Sequence, residues 1–282
     1  RQRKDKNEKL FFIPAQRVLT LGKGWPRPFT DYSPGDPFVV RQFSDHLRLL
    51  MEKGFGESDK LFPRTGRLKT EIRDLLQETV FPSFGLEIDK QHGPQKRLIL
   101  RTEGQSLPFM VWSAGQREFV PLLLGAYWLL PGAGATRREP IEWVVIEELE
   151  MGLHPKAVSA ALLLVLDLLW RGYRVCLSTH STHVLDVVWA MKAIQDQNAP
   201  ATKLLDIFDA KATQQMRSMI EIAAHKSAKV YYFDPKTGET KDISSLDPGA
   251  DSEGESGWGG LSEFSGRVAE VVAEVVGNAQ EP

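Results

Sequence analysis

The chain has 282 residues, enough for one large domain or two small ones, and its 42% apolar and 26% charged residues are ordinary for a soluble globular protein. The chain has 35 Lys and Arg residues and 37 Asp and Glu residues, and the resulting net charge of −2 excludes a global electrostatic attraction to nucleic acid. The one cysteine, Cys176, excludes an internal disulfide framework and favours a reducing cytoplasmic setting. The longest apolar runs, Phe119–Leu130 and Ala160–Trp170, are shorter than the roughly 20 residues that a membrane-spanning helix needs.

The first third of the chain predicts a strand, a loop and two helices. Leu10–Ala15 is a short apolar strand, and the Gly- and Pro-rich residues 18–37 predict a loop. Phe38–Lys53 and Arg67–Thr79 carry apolar residues at helical spacing. These two helices predict a small helical subdomain over residues 35–82.

A hairpin and an apolar helix are predicted next. Gly85–Asp89 and Arg97–Thr102 are predicted strands, and Lys90–Gln95 between them contains a Gly-Pro turn signal. Ser113–Leu130 predicts an apolar helix, and the polar, Gly-rich residues Gly132–Glu139 predict a loop.

Strands and helices then alternate. Trp143–Ile146 and Tyr173–Leu177 predict strands, and Pro155–Arg171 and Thr182–Ile194 predict helices. The first of these helices begins with a proline and is followed by a glycine, as capping favours. The order implies a parallel β-α-β-α unit, and therefore an α/β fold with a mostly parallel sheet flanked by helices.

The C-terminal part predicts a hairpin and a last helix. Lys229–Asp234 and Thr240–Ile243 bracket the turn signal Pro235–Gly238. Residues 246–260 are rich in Gly, Ser and acidic residues, which favours flexibility, and Leu261–Val276 predicts an amphipathic helix.

Two adjacent carboxylates, Glu147 and Glu148, end the strand that begins at Trp143. Ligands of open parallel sheets bind beyond the carboxyl ends of the strands, and neighbouring side chains of a strand point opposite ways. One carboxylate could hold a hydrated Mg²⁺, and the other could deprotonate a water that attacks a γ-phosphate. The alternative is a charged strand exit at the surface.

The next strand ends in Ser178-Thr179-His180-Ser181, which we expect at the same sheet edge. A histidine there could donate a hydrogen bond to a terminal phosphate. The alternative is a capping cluster in which Ser181 is the N-cap of the following helix.

The segment Ser113-Ala114-Gly115-Gln116-Arg117 opens the apolar helix. A small residue, a glycine and a helix N-terminus form a corner that can bind an anion. A plain N-capped helix is the alternative. His154, just before the helix at Pro155, could face a partner subunit or simply pack.

Together these pieces resemble the ABC-type P-loop ATPase superfamily, and in particular bacterial AAA-like ATPases related to the overcoming-lysogenization-defect, SMC and recombination-repair proteins. The segments that carry the resemblance are FIPAQR (12–17), SAGQR (113–117), VVIEELEMGLHP (144–155), STHS (178–181) and KVYYFDPKTGET (229–240). The second, third and fourth resemble the signature motif, the Walker B motif with its following loop, and the switch-histidine loop. The resemblance covers most of residues 10–245.

The resemblance implies ATP and Mg²⁺ as ligands and a role for each matching residue. Glu147 would be the Walker B acid that holds Mg²⁺ through water, Glu148 the catalytic base and His180 the γ-phosphate switch. The resemblance further implies a head-to-tail dimer that ATP closes and hydrolysis opens. The residues that would contact the nucleotide of the opposite subunit are Ser113, Gly115 and Gln116.

The sequence departs from the family pattern. No G-x-x-x-x-G-K-[ST] motif occurs, and Gly22-Lys23-Gly24 lacks the upstream glycine and the following Ser or Thr. The Gln loop cannot be placed, Leu149 replaces the usual Pro, and Glu147 replaces the commoner Asp. The family carries the P-loop in an N-terminal lobe ahead of FIPAQR, so we expect that lobe to be missing through truncation or disorder, or to lie in a separate chain. The alternative is a degenerate ATPase that does not bind nucleotide by itself.

The expected organisation has four parts. These are a lead-in strand and loop of the ATPase core (1–34), a helical subdomain (35–82), the core with its three motifs (83–245), and a flexible linker with a C-terminal helix (246–282).

The leading functional hypothesis is an ATPase that dimerises on ATP, as a homodimer or higher oligomer, and drives or gates a separate effector such as a nuclease or toxin. Its setting would be anti-phage defence or DNA maintenance in the cytoplasm, with no membrane. A non-catalytic scaffold is one alternative. A metal-dependent hydrolase is another, with candidate ligands Glu147, Glu148, Glu150, His154, His180 and His183.

DNA contact is left open. Basic residues could bind phosphates, although charged helix faces more often meet solvent. The candidates are Arg1, Arg3, Lys4, Lys6, Arg64, Arg67 and Lys69.

Overall fold

A computed structural model describes residues 9–55, 58–90, 96–132, 136–250 and 252–278. The basic residues at positions 1, 3, 4 and 6, most of the predicted turn after Lys90 and part of the predicted loop after Gly132 lie outside these ranges. Within them, no helix combines the length and the apolar character needed to cross a bilayer.

The strands are β1 Leu10–Ile13, β2 Leu21–Gly22, β3 Trp25–Pro26, β4 Lys60–Phe62, β5 Gly85–Asp89, β6 Arg97–Thr102, β7 Gln105–Pro108, β8 Trp143–Glu147, β9 Arg174–Ser178, β10 Tyr231–Phe233 and β11 Thr240–Asp242. The α-helices are α1 Phe38–Lys53, α2 Thr70–Thr79, α3 Ala114–Leu129, α4 Pro155–Trp170, α5 Thr182–Asp196, α6 Lys203–Ile207, α7 Gln214–Ala224, α8 Glu253–Ser256 and α9 Glu263–Asn278. Short 3-10 helices occupy Arg17–Thr20, Phe29–Asp31 and Phe109–Val111.

The chain divides into two compact units. The first consists of Arg1–Thr179 with Leu205–Ala223, and the second of His180–Leu204 with Ala224–Pro282.

The first unit contains a parallel sheet in the order β1-β8-β9. Val144 and Ile146 of β8 are buried, as are Phe11 and Ile13 of β1. The predicted β-α-β connection from β8 through α4 to β9 is confirmed, with parallel pairing. Helix α4 is buried along almost its whole length and packs against β9, as an apolar crossover helix should.

The antiparallel part of the first unit is larger than the sequence indicates. The predicted strands β5 and β6 are confirmed at their expected bounds, but they belong to a four-stranded antiparallel sheet in the order β4-β5-β6-β7. The predicted parallel sheet flanked by helices is present as β1, β8 and β9, and among the described residues parallel pairing is confined to these three strands. The two outer strands are short and bordered or ended by proline, as edge strands tolerate.

The two predicted helices of residues 35–82 are present. Helix α1 has the expected bounds, whereas α2 begins at Thr70 rather than Arg67. Helix α1 packs against α3 and β1, and α2 packs against α4, so both lie on the same unit as the parallel sheet. The boundaries of a separate helical subdomain stay a prediction.

The second unit has a small apolar core of its own. Leu185 of α5 packs there with Ile243, Leu246 and Trp258. The predicted hairpin is confirmed as β10 and β11, and the terminal helix as α9. The segment 246–260, which we expected to be flexible, contains two of these buried core residues.

A buried ion pair joins α2 to α4. Lys69, the residue before α2, donates to the Asp167 carboxylate, and Arg171 donates to the same carboxylate at 3.2 Å. Asp167 is fully buried and Lys69 is 8% exposed. Burial lowers the pKa of Lys69, and Asp167 opposes that shift. Lys69 is therefore a structural residue, which corrects its place among the candidate DNA contacts.

We expect Asp167→Ala to lower the free energy of unfolding by about 3–5 kcal/mol, because it leaves a buried lysine without its counter-ion. Urea unfolding followed by circular dichroism measures the change. Glu142→Ala is the control, since it removes an exposed carboxylate that pairs with Lys9, and it should leave the unfolding midpoint almost unchanged. An equally small effect of Asp167→Ala would contradict the structural role of the buried pair.

Candidate functional site

The carboxyl ends of β8 and β9 lie side by side, as the sequence predicts. Glu147 is the Cα partner of Ser178 in the parallel register. The Glu148 N–H donates to the Ser178 carbonyl at 2.9 Å and lies 3.3 Å from Ser178 Oγ. Thr179 Oγ1 donates to Glu150 Oε1 at 2.8 Å. The acid pair and the first two residues of the STHS segment therefore meet at one sheet edge.

Glu147 is held against the strand on its other side. Its Oε2 accepts from the Ala15 N–H at 3.0 Å, so β1 and β8 are tied together just beyond their ladder. Among the described residues, Glu147 Oε1 makes no hydrogen bond. A half-buried carboxylate with one oxygen anchored and one available suits a water of a hydrated Mg²⁺, because this ion prefers oxygen ligands and keeps several of its waters.

Glu148 has a left-handed backbone, with φ of 43°. This conformation is costly for a residue with a side chain and survives where surrounding contacts enforce it. Here the Glu148 carbonyl accepts from Met151 N–H at 3.0 Å, and its N–H binds β9. The chain thus leaves the extended conformation of β8 at Glu148, one residue after the Glu147–Ser178 pair.

The signature-like residues form an N-cap. Ser113 Oγ accepts from the Gln116 N–H at 3.2 Å, and Gln116 Oε1 accepts from the Ser113 N–H at 3.1 Å, which makes a capping box. Gln116 also donates to the Val80 carbonyl at 3.3 Å. The N-capped helix that the sequence left open as an alternative is therefore present, and a nucleotide role for Ser113, Gly115 and Gln116 stays a prediction.

Two glycines bring the start of α3 against the loop that follows the acid pair. A Cβ on Gly115 would lie 2.9 Å from the Gly152 carbonyl oxygen. Gly152 has φ of 70°, and a Cβ there would lie 3.1 Å from Glu118 Cγ. The close packing fixes the signature-like helix relative to residues 148–154.

The sequence reasoning missed Arg17, which is fully buried beside the acid pair. Its guanidinium donates to the carbonyls of Glu118 at 3.0 Å, Glu147 at 3.0 Å and Glu148 at 3.1 Å. The Glu118 carboxylate lies 3.8 Å from Arg17 Nε. The signal that could have pointed to it is a lone arginine two residues after the predicted apolar strand Leu10–Ala15.

Burial dominates the electrostatics of this contact. Burial lowers the pKa of Arg17, and the negative charges of Glu118, Glu150 and Glu148 oppose that shift. Burial raises the pKa of Glu118, and Arg17 opposes it. Each charge therefore offsets part of the desolvation cost of the other.

His154 and Ser181 cap helices, whereas the structure gives no test of the role predicted for His180. His180 is the first residue of the second unit and follows Ser178 by two residues along the chain; its γ-phosphate role stays a prediction. Ser181 Oγ accepts from the His183 N–H at 3.2 Å and caps α5, as the capping alternative predicts. His154 Nδ1 accepts from the Lys156 N–H at 3.3 Å, so His154 caps α4.

The metal-hydrolase alternative gains no support from side-chain clustering. Within the part of the chain that the structure describes, no group of three or more His, Cys, Asp or Glu side chains is arranged to hold a metal ion.

A protein-family model described as "AAA domain, putative AbiEii toxin, Type IV TA system" matches residues 36–186, more than half of the chain. The chain belongs to this family. Membership supports an AAA-like P-loop NTPase with an α/β fold, and hence nucleotide hydrolysis as the general activity. Comparisons with curated proteins and with solved structures gave no match.

We expect Gly152→Ala to destabilise this AAA-family chain more than Gly104→Ala does. Both glycines have positive φ, so an alanine at either costs roughly 1–2 kcal/mol of backbone strain. Only Gly152 would also press a Cβ against Glu118, since a Cβ on Gly104 meets nothing within 4 Å. Urea midpoints of the two variants give the comparison, and equal losses would show that the packing against Glu118 is unimportant.

Proposed function

We propose that the protein is an ABC-type ATPase that closes as a dimer on ATP, hydrolyses it, and thereby drives or gates a separate effector. One observation carries the proposal: two adjacent carboxylates and the Ser178–Thr179 segment share one end of a parallel sheet, with Glu148 fixed in a left-handed turn. Ligands of open α/β sheets bind at this kind of edge.

The proposed division of labour follows from the anchoring of each residue. Glu148 orients and deprotonates the attacking water, since its carboxylate leaves the sheet beyond the last ladder pair. Glu147, tied to the Ala15 amide through one oxygen, holds a water of the Mg²⁺ hydration shell with the other. Bound Mg²⁺ would neutralise charge on the terminal phosphates. His180 donates to the γ-phosphate.

The signature-like residues would complete the site of the opposite subunit. Helix α3 presents its N-terminus, where Ser113 and Ala114 are exposed, and a helix N-terminus favours phosphate. The capping box keeps that turn ordered, and Gly115 ties it to the loop after Glu148. Each nucleotide bound between two chains would then contact the carboxylates of one chain and the signature-like residues of the other.

The effector is proposed as a separate nuclease or toxin, and the setting as cytoplasmic anti-phage defence or DNA maintenance. The family description, which names a putative toxin of a type IV toxin–antitoxin system, favours defence. Contact with DNA belongs to the same proposal.

Glu148→Gln should abolish hydrolysis while it preserves ATP binding. We expect a fall in kcat of about 100-fold or more, because a general base contributes 10²–10⁴-fold. Phosphate release by the natively expressed protein measures the rate. Light scattering in the presence of ATP should show that the Glu148→Gln variant accumulates as a dimer. Glu142→Gln, which alters an exposed carboxylate away from the sheet edge, is the control.

Two outcomes would count against this proposal. Hydrolysis by Glu148→Gln at the wild-type rate would remove Glu148 as the base. Wild-type protein that binds no nucleotide would instead favour the scaffold alternative.

Mixing two inactive variants tests the composite site. Ser113→Arg and Glu148→Gln should each be inactive alone, but a mixed dimer retains one site with an intact Glu148 and an intact opposite Ser113. Random mixing of a two-fold dimer should therefore restore about a quarter of the wild-type rate. Circular dichroism checks that Ser113→Arg folds despite the lost cap. A mixture that stays inactive would place both residues in the site of one chain.

A further inference from the structure

Arg17 is the most deeply buried charged group near the acid pair, and the family match begins after it, at residue 36. It opens the short 3-10 helix Arg17–Thr20 and has no exposed surface. All three of its hydrogen bonds go to backbone carbonyls, two on the segment that leaves β8 and one on α3.

We propose that Arg17 is a positioning residue for hydrolysis: it fixes the backbone on both sides of Glu148 and couples that backbone to the signature-like helix α3. This inference rests on the proposed ATPase function. It gives a role to a residue to which the motifs described above assign none.

The first step is the geometry around Glu148. The carbonyl of Glu147 belongs to the peptide group before the Glu148 Cα, and the carbonyl of Glu148 belongs to the peptide group after it. One planar guanidinium binds both, at 3.0 and 3.1 Å. Because the donors of an arginine have a rigid fork geometry, holding both carbonyls restrains φ and ψ of Glu148 together. The strained φ of 43° is thus held from outside the turn.

The second step is the link to α3. Arg17 Nε donates to the Glu118 carbonyl at 3.0 Å, and the Glu118 carboxylate lies 3.8 Å away. Glu118 follows Ser113 by five residues on the same helix. A shift of α3 when its N-terminus meets a nucleotide would therefore reach the Glu148 carbonyl through one side chain.

The third step is that Arg17 is itself anchored. Thr20 Oγ1 donates to the Arg17 carbonyl at 2.6 Å, and Ser44 Oγ of α1 donates to the Thr20 carbonyl at 3.1 Å. Upstream, the Ala15 N–H donates to the Glu147 carboxylate. The segment thus holds both candidate carboxylates, Glu147 by its side chain and Glu148 by its backbone.

Arg67 provides a matched comparison at the other end of α3. It donates to the carbonyls of Tyr127 and Leu130 at the end of that helix, and to Gly54. It therefore has the same chemistry as Arg17, an arginine shared among three carbonyls, but it lies away from the acid pair along the chain and the helix.

The test compares Arg17→Lys with Arg67→Lys in steady-state ATP hydrolysis. A lysine keeps the charge but loses the fork, so both variants should lose stability. Arg17→Lys alone should lower kcat by about tenfold or more with KM within about twofold, because misplacing a catalytic group affects the chemical step more than binding. Millimolar guanidinium should partly restore kcat of Arg17→Ala and should leave kcat of Arg67→Ala unchanged.

The outcomes separate the inference from the proposed function. If wild-type protein hydrolyses ATP and Glu148→Gln does not, an Arg17→Lys kcat equal to that of Arg67→Lys overturns the positioning role and leaves the ATPase intact. If wild-type protein does not hydrolyse ATP, the proposed function fails first.

A second variant keeps the inference testable if Arg17→Lys does not fold. Glu118→Gln keeps the backbone bond to Arg17 but weakens the charge contact. We expect kcat to fall severalfold with KM nearly unchanged. A kcat equal to that of the wild type would overturn the part of the coupling that the Glu118 carboxylate carries.

Discussion

The parallel register of β8 between β1 and β9 is the constraint on which the rest of the first unit depends. It aligns Glu147 with Ser178 on one side and brings the Ala15 amide to the Glu147 carboxylate on the other. A slip of one residue would turn Val144 and Ile146 out of the core, so hydrophobic burial enforces the register. The position of the acid pair is thus set by apolar side chains that have no part in its chemistry.

Local patterns predicted the elements that are apolar, long or well capped. The helix at Phe38–Lys53 and the strands at Gly85–Asp89 and Arg97–Thr102 have the expected bounds. The short strands β4 and β7 escaped because edge strands carry little pattern and border prolines. Helix α7 could have been found, since its buried residues recur at helical spacing. They are Met216, Met219, Ile220 and Ala223.

Only those residues of the candidate site that lie at the ends of predicted strands could be predicted from the sequence. Glu147, Glu148 and Ser178 follow apolar runs, and a parallel sheet must gather such ends. Arg17 could not be placed in the same way, because its partners lie about a hundred or more positions further along the chain. They are also backbone carbonyls, which every residue has, so the sequence does not mark them. Glu118 was not predicted for a related reason: in the sequence it cannot be distinguished from any other charged residue near the start of a helix.

The matched range of the AAA family and the structural unit do not coincide, and the difference has a physical meaning. The match begins at residue 36, yet two features precede it. Strand β1 supplies one side of the parallel sheet, and Arg17 donates to both carbonyls that flank the Glu148 Cα. Removing residues before 36 would take the Arg17 donor from the Glu147 carbonyl, leave the Glu148 carbonyl with Met151 N–H alone, and leave one edge of β8 without its partner strand, which is costly in a buried place. The unit that positions the acid pair at the sheet edge is therefore larger than the range that the family model matches.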